Sequence, residues 1–207
     1  DLEMLGKKER QGHLDTVISG HSLDDVRRVR KAIGNATLLV RTNPLHENSI
    51  SEIDQVIENG ADLLMLPMFK SSDELKRYTD MVDGRVGVIP LIETPEAMHE
   101  IERIVTIPGV AEIYIGLNDL HIALGLDFIF EPLENGSLSK MISCIKKQSL
   151  AFGFGGIAYI GAGELPAEKI LAEHVRTGSN CVILSRSFHQ GTDIDLPKEI
   201  LRLREYE

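Results

Sequence analysis

The sequence predicts an α/β fold with parallel strands, on three observations. Six short runs of mainly aliphatic and β-branched residues alternate with amphipathic stretches. The first four runs begin about 25 residues apart, at positions 37, 62, 86 and 112, a spacing that holds one strand and one helix. Most of the runs are near-continuous in apolar residues, as strands buried on both faces require.

Taken in order, strands are expected at 37–42 (TLLVRT), 62–66 (DLLML), 86–92 (VGVIPLI), 112–115 (EIYI), 152–158 (FGFGGIA) and 181–184 (CVIL). Helix signals fall between them. Ser22 precedes Asp25, Ser49 precedes Glu52 and Ser71 precedes Glu74, the pattern of a capping box. Thr94-Pro95 sets a capping hydroxyl ahead of a proline at the first helical position. Ile53, Val56 and Ile57, and again Ile101, Ile104 and Val105, recur at helical spacing. Gly34, Gly60 and Gly84 stand where helices should stop, and a last amphipathic helix is expected over 197–204.

Two architectures accommodate these units, an open doubly wound sheet and a (β/α)8 barrel. Asp1 to Glu3 reads as the tail of a further strand, which would make seven; a closed barrel then needs one more ahead of residue 1. The stretch 127–139 reads as an irregular insertion, and the whole of 1–207 as a single domain.

A net charge of −10 argues against nucleic acid or an anionic membrane as partner, since both select clustered Lys and Arg. No apolar run approaches the roughly 20 residues of a membrane helix. Cys144 and Cys181 lack metal-site or disulfide-framework spacing, so reduced thiols in a cytoplasmic protein are expected.

In a parallel barrel the working residues lie at the C-terminal ends of strands. Asp1 and Glu3 after the stub, Arg41, Pro67, Met68, Glu93, Asn118, Asp119 and Arg186 hold such positions. Two carboxylates from consecutive units repel unless a cation or proton lies between them. Magnesium or manganese commonly accepts one or two carboxylates and fills its shell with water and substrate oxygens. The competing reading makes Glu93 and Asp119 helix-capping residues. Arg41 reads either as a bidentate partner of a substrate carboxylate or as half of a structural ion pair. Arg186 has the same two readings. The Gly6–Gln11 stretch reads as a solvated loop or as a cover that meets an anionic substrate tail.

Several segments together resemble one family. VRTNP at 40–44, GADLLMLPMF at 60–69, LIETPEA at 91–97, IPGVAEIYIGLNDL at 107–120 and ALG at 123–125 stand in order and at fitting distances. They resemble the HpcH/HpaI aldolase and citrate lyase family of the phosphoenolpyruvate/pyruvate barrel superfamily. The resemblance implies a (β/α)8 barrel, here without its first strand and helix, assembled as a homo-oligomer, a hexamer in that family. It implies a divalent-metal-dependent carbon–carbon lyase acting on 2-oxo and hydroxy acids through a pyruvate enolate. Glu93 and Asp119 match the metal carboxylates, Arg41 matches the substrate arginine, and Gly116, Leu117 and Asn118 match the segment whose amides approach the pyruvyl carboxylate. A citrate-lyase-like thioester lyase and a catalytically silent barrel with a binding role are the alternatives.

Two departures bear on the chemistry. The family's Asp-x-Glu-His segment reads Asp1-Leu2-Glu3-Met4, and a glutamine often found two positions before the metal glutamate is Leu91. Methionine takes no proton, so His13, His21 and a metal-bound hydroxide become candidate bases, with His46 and His121 behind them. His99 reads as a solvated helix residue and His174 as a ring set at the negative pole of a helix. Gly153, Gly155 and Gly156 lack dinucleotide-binding spacing and read as packing positions.

Overall fold

The computed structural model describes residues 1–11, 20–189 and 194–206. The chain forms two compact units, Asp1–Tyr114 and Ile115–Glu207. Both alternate helices with parallel strands, so the α/β expectation holds.

The first unit runs α1 (Lys7–Gln11), α2 (Leu23–Ile33), β1 (Leu39–Arg41), α3 (Ser49–Glu58), β2 (Leu63–Leu66), α4 (Ser72–Val82), β3 (Gly87–Ile92), α5 (Pro95–His99), α6 (Ile101–Ile104) and β4 (Glu112–Ile115). The pairing β1–β2–β3 is parallel, with Arg41 beside Met65 and Met65 beside Ile89. A parallel bridge joins Val88 to Val110 just ahead of β4. Asp1 to Glu3 is not a strand, but the Leu2 amide donates to the Arg41 carbonyl at 2.8 Å, so this segment runs beside β1. Because the strands run the same way in register, Arg41, Met68 and Glu93 come out at one edge.

The caps show why these segments are helical. Asp25 accepts from the Ser22 amide at 2.7 Å and from its hydroxyl at 3.0 Å. Ser71 accepts from the Glu74 amide and Thr94 from the Ala97 amide, both at 3.2 Å. At α3 the expectation is off by one residue. Asn48 is the cap, and Ser49, inside the helix, turns its hydroxyl back to accept the His46 amide at 2.8 Å. The apolar faces of α3, α4 and α6 are fully buried at Ile53, Val56, Leu75, Ile101 and Ile104. Gly87 is required by close approach: a Cβ there would lie 2.8 Å from Leu63 Cδ2 and 2.9 Å from Ala111 Cβ.

The second unit runs α7 (Leu117–Ala123), α8 (Glu131–Glu134), α9 (Ser139–Lys147), β5 (Ala151–Ile157), α10 (Ala167–Thr177), β6 (Cys181–Leu184), a 3-10 turn (Arg186–His189) and α11 (Leu196–Arg204). The 127–139 stretch therefore contains a short helix, α8, rather than being irregular throughout. Strands β5 and β6 pair in parallel, with a register irregularity between Gly153 and Gly156. Gly155 has φ +57°, and a Cβ there would lie 3.0 Å from Leu117, in keeping with the packing role read for this glycine cluster. Ile157, Ile170, Leu171, Phe188 and Leu203 form the core that closes this unit. No helix among the described residues is long and apolar enough to cross a membrane.

Candidate active site

The C-terminal edge of the first unit gathers charge. Arg41, the last residue of β1, donates from Nε to Asp1 Oδ1 at 2.9 Å and from Nη2 to Asp1 Oδ2 at 2.5 Å. The same guanidinium lies 3.5 Å from Glu3 Oε2. These two hydrogen bonds use two of its five N–H donors. The ion-pair reading of Arg41 is thus realised, with donors left over for a second anion.

Lys7 completes the cluster. Its Nζ lies 2.9 Å from Asp1 Oδ2 and 3.1 Å from Glu3 Oε2, with only 5% of the side chain exposed. Arg10 also pairs with Glu3. Burial pulls the Lys7 ammonium below the usual lysine range, and the charge of Arg41 adds to this; the charges of Glu3 and Glu93 and a Glu3 hydrogen bond oppose it. The segment 6–11 enters a short helix that turns Lys7 inward while Gly6, Lys8 and Glu9 stay exposed to solvent.

Glu93 follows β3 and is 4% exposed. Its Oε1 accepts the Met68 amide at 2.9 Å. Met68 achieves this with φ +55°, a left-handed conformation that is uncommon away from glycine. Glu93 is not the cap of the following helix; that task belongs to Thr94.

Behind this edge lies a hydrogen-bonded brace. Asn43 Oδ1 accepts the Met4 amide at 2.8 Å and the Leu5 amide at 3.0 Å. Glu52 Oε1 accepts the Asn43 side chain at 2.8 Å, and Glu52 Oε2 meets His46 Nε2 at 3.0 Å. His46 Nδ1 accepts the Asn48 amide at 3.2 Å, so both ring nitrogens of His46 are engaged in structure. A hollow of about 370 Å³ opens between Met4, His21, Asn43, His46 and Glu52. His21 is exposed on its wall, with Nδ1 3.2 Å from the Asp1 carbonyl. Met4 is 50% exposed. His13 lies outside the described residues.

In the second unit Gly116 is the N-cap of α7, and Leu117, Asn118 and Asp119 form its first turn. Asp119 is therefore inside the helix, not its cap. His121 Nδ1 faces the Leu117 carbonyl at 3.1 Å, within the same helix. Arg186 opens the turn after β6 and is exposed. His174 departs from its expected role. Its ring stacks on Phe154 with centroids 3.8 Å apart, Nδ1 lies 2.8 Å from Ser179 Oγ, and burial lowers its pKa to about 4. A neutral ring does not neutralise a helix pole.

Residues 21–129 match the sequence profile of the HpcH/HpaI aldolase/citrate lyase family. The chain belongs to this family. No curated protein sequence matches the chain. Among solved structures, an HpcH/HpaI aldolase/citrate lyase family protein from Burkholderia cenocepacia J2315 superposes with a TM-score of 0.68 at 19% identity, covering 99% of this chain and 92% of that one. An HpcH/HpaI aldolase from Desulfitobacterium hafniense DCB-2 gives 0.66 at 16% identity, over 90% and 80% of the two chains. The citrate synthase SbnG gives 0.63 at 16% identity, over 93% and 80%. At such identities the likeness is one of fold.

Within this HpcH/HpaI family member, Glu93 and Asp119 offer hard carboxylate oxygens, the donor type that magnesium and manganese select. No group of three or more His, Cys, Asp or Glu side chains stands in a metal-holding arrangement among the described residues. Glu3 was read only as a rim position after the leading stub and Lys7 only as one of several cations in the 6–11 stretch, while the Asn43–Glu52 brace was not singled out in the sequence.

Proposed function

We propose that this protein is a divalent-metal-dependent carbon–carbon lyase that cleaves or forms aldols of 2-oxo acids through a pyruvate enolate, on a (β/α)8 barrel. The observation that carries the reading is the pairing of family membership with the charged C-terminal edge, where Arg41 closes β1 and Glu93 follows β3. Such edges are where parallel barrels place their chemistry.

Glu93 and Asp119 are the proposed metal carboxylates, for magnesium or manganese. The ion would supply Lewis-acid polarisation of the keto oxygen. Arg41 offsets the negative charge that develops as the carbon–carbon bond breaks, with the N–H donors Asp1 does not use. Asp1 and Glu3 hold that guanidinium in place. The Met68 amide fixes the orientation of the Glu93 carboxylate. The amides of Gly116, Leu117 and Asn118 are proposed to meet the substrate carboxylate, and Arg186 a distal anionic group. His21 stands at the mouth as a candidate proton carrier. The assembly is proposed to be a homo-oligomer.

The test is pyruvate release from a panel of 4-hydroxy-2-oxo acids with magnesium or manganese, before and after chelation. Activity that needs the ion and disappears in Glu93→Gln and in Asp119→Asn is the expected result. Full activity in either variant refutes the metal assignment. Release of an acid from acyl-CoA substrates with no aldol cleavage would move the protein to the thioester-lyase side of its family.

A further inference from the structure

An aldol step needs a group that takes a proton from a hydroxyl and gives one back to carbon. The nitrogen bases at this edge differ sharply. His21 is exposed, with Nδ1 3.2 Å from the Asp1 carbonyl and, among the described residues, no side-chain carboxylate holding it. Arg10 and Arg41 stay protonated at any working pH. His46 has both ring nitrogens engaged by Glu52 and Asn48. Met4, at the place where the family pattern carries histidine, has no proton chemistry. Lys7 sits three residues further on, with its side chain 5% exposed and its amine held between two carboxylates.

We propose that Lys7, rather than His21, is the acid–base residue of the aldol step, standing in for the histidine that is replaced by Met4. The proposal rests on the lyase reading above and assigns the proton transfer within it.

Three structural features support it. A buried lysine is rare, and one at a charged strand edge is seldom there for packing. The Nζ atom is fixed from two sides, by Asp1 at 2.9 Å and Glu3 at 3.1 Å, so its remaining N–H direction is set by the fold. The balance of surroundings also favours a working base. Desolvation and Arg41 pull the amine toward neutrality, while Glu3 and Glu93 hold that shift in check. Among the described residues, the carboxylate and α-ammonium of Asp1, Arg10 through Glu3, and these three are the charged groups facing the amine, from α1, β1, the residue after β3 and the leading segment. Lysines tuned downward by burial serve as general bases.

The step balances as follows. Neutral Nζ takes the proton of the C4 hydroxyl of a 4-hydroxy-2-oxo acid. The freed oxygen pair forms the aldehyde C=O as the C3–C4 bond breaks. The bonding pair moves to C3 and C2, giving pyruvate enolate. The Lys7 ammonium then returns the proton to C3, so that aldehyde and pyruvate leave and the amine is neutral again. Asp1 and Glu3 stabilise the ammonium while it exists.

The experiment avoids the unknown aldehyde. Pyruvate is incubated in deuterated water with the full chain and manganese or magnesium, and loss of the methyl proton signal is followed by NMR across pH. Wild type should exchange, with a rate rising with pH toward a limit set below the ordinary lysine value. Lys7→Arg keeps the charge and the ion pairs but cannot deprotonate; exchange should fall at least about 100-fold, the usual scale for losing a general base. Lys7→Ala should be rescued by added methylamine, which a purely structural lysine would not permit. In metal-free protein carrying ε-13C lysine, the resonance lost in Lys7→Arg should titrate below about 10.4. Exchange in Lys7→Arg within about threefold of wild type, or a Lys7 titration at or above the ordinary value, overturns the assignment and leaves the lyase reading intact. Borohydride trapping of pyruvate on Lys7 overturns it in favour of an imine. Absence of exchange in wild type sinks the lyase reading and this role together.

Discussion

His174 lies flat against Phe154 with its ring neutral, its pKa lowered to about 4 by burial. In the unfolded chain the ring takes a proton near 6.5. Between those values the unfolded state binds a proton that the folded state refuses, so stability falls as pH drops through this window. The share due to this ring is about 3 kcal/mol at the acid end. Urea titrations at pH 7 and pH 4.5 should show a smaller acid loss in His174→Phe than in wild type; equal losses would place the acid sensitivity elsewhere. The sequence pointed to a charged ring at a helix end because His174 stands in the last turn of α10. What it could not show is the partner: Phe154 comes from another element, and contact across elements decides the protonation state. Lys7 was hidden for a similar reason. Five of the six residues from Gly6 to Gln11 are charged or polar, a composition that suggests solvent, yet Asp1 and Glu3 draw one of them inward.

At the scale of elements the sequence was far more legible. Each expected strand is found to within two residues at its start, since a continuous apolar run admits few other fates. Helix starts were legible where a hydroxyl stands in extended backbone, as at Ser71 and Thr94. Where Asn48 and Ser49 stand side by side, the pattern does not say which one caps, and the choice follows from His46 taking the serine hydroxyl. The helical repeat from Pro95 to Val105 is broken at Glu100 into α5 and α6, a break that periodicity alone does not register. Gly87 is the element-scale position most open to test. Gly87→Ala pushes a methyl against Leu63 and Ala111, and should destabilise by about 1–3 kcal/mol, the range for overpacking a core. A melting temperature equal to wild type would show that Leu63 and Ala111 move aside freely.

At the scale of the molecule, the family and the parallel α/β layout were readable, while barrel closure depends on more strands than the described residues contain. The strand-edge positions of Arg41 and Glu93 followed from that layout, whereas the brace through Asn43 and Glu52 joins residues distant in the chain and left no local mark. Metal binding offers a whole-chain readout. An ion at 100 times its dissociation constant adds about 2.7 kcal/mol to stability, so manganese should raise the melting temperature by roughly 5–10 °C in wild type. The shift should vanish in Glu93→Gln; a full shift there would move the ion to other ligands. The left-handed turn at Met68 carries one more implication. The group that steadies Glu93 is a peptide N–H, so swapping the methionine side chain leaves the contact untouched, and only a residue that resists positive φ, or proline with no hydrogen to give, would sever it. Position 68 is therefore free to drift in chemistry and constrained in shape, and a scan of all substitutions there should sort by backbone handedness rather than by polarity.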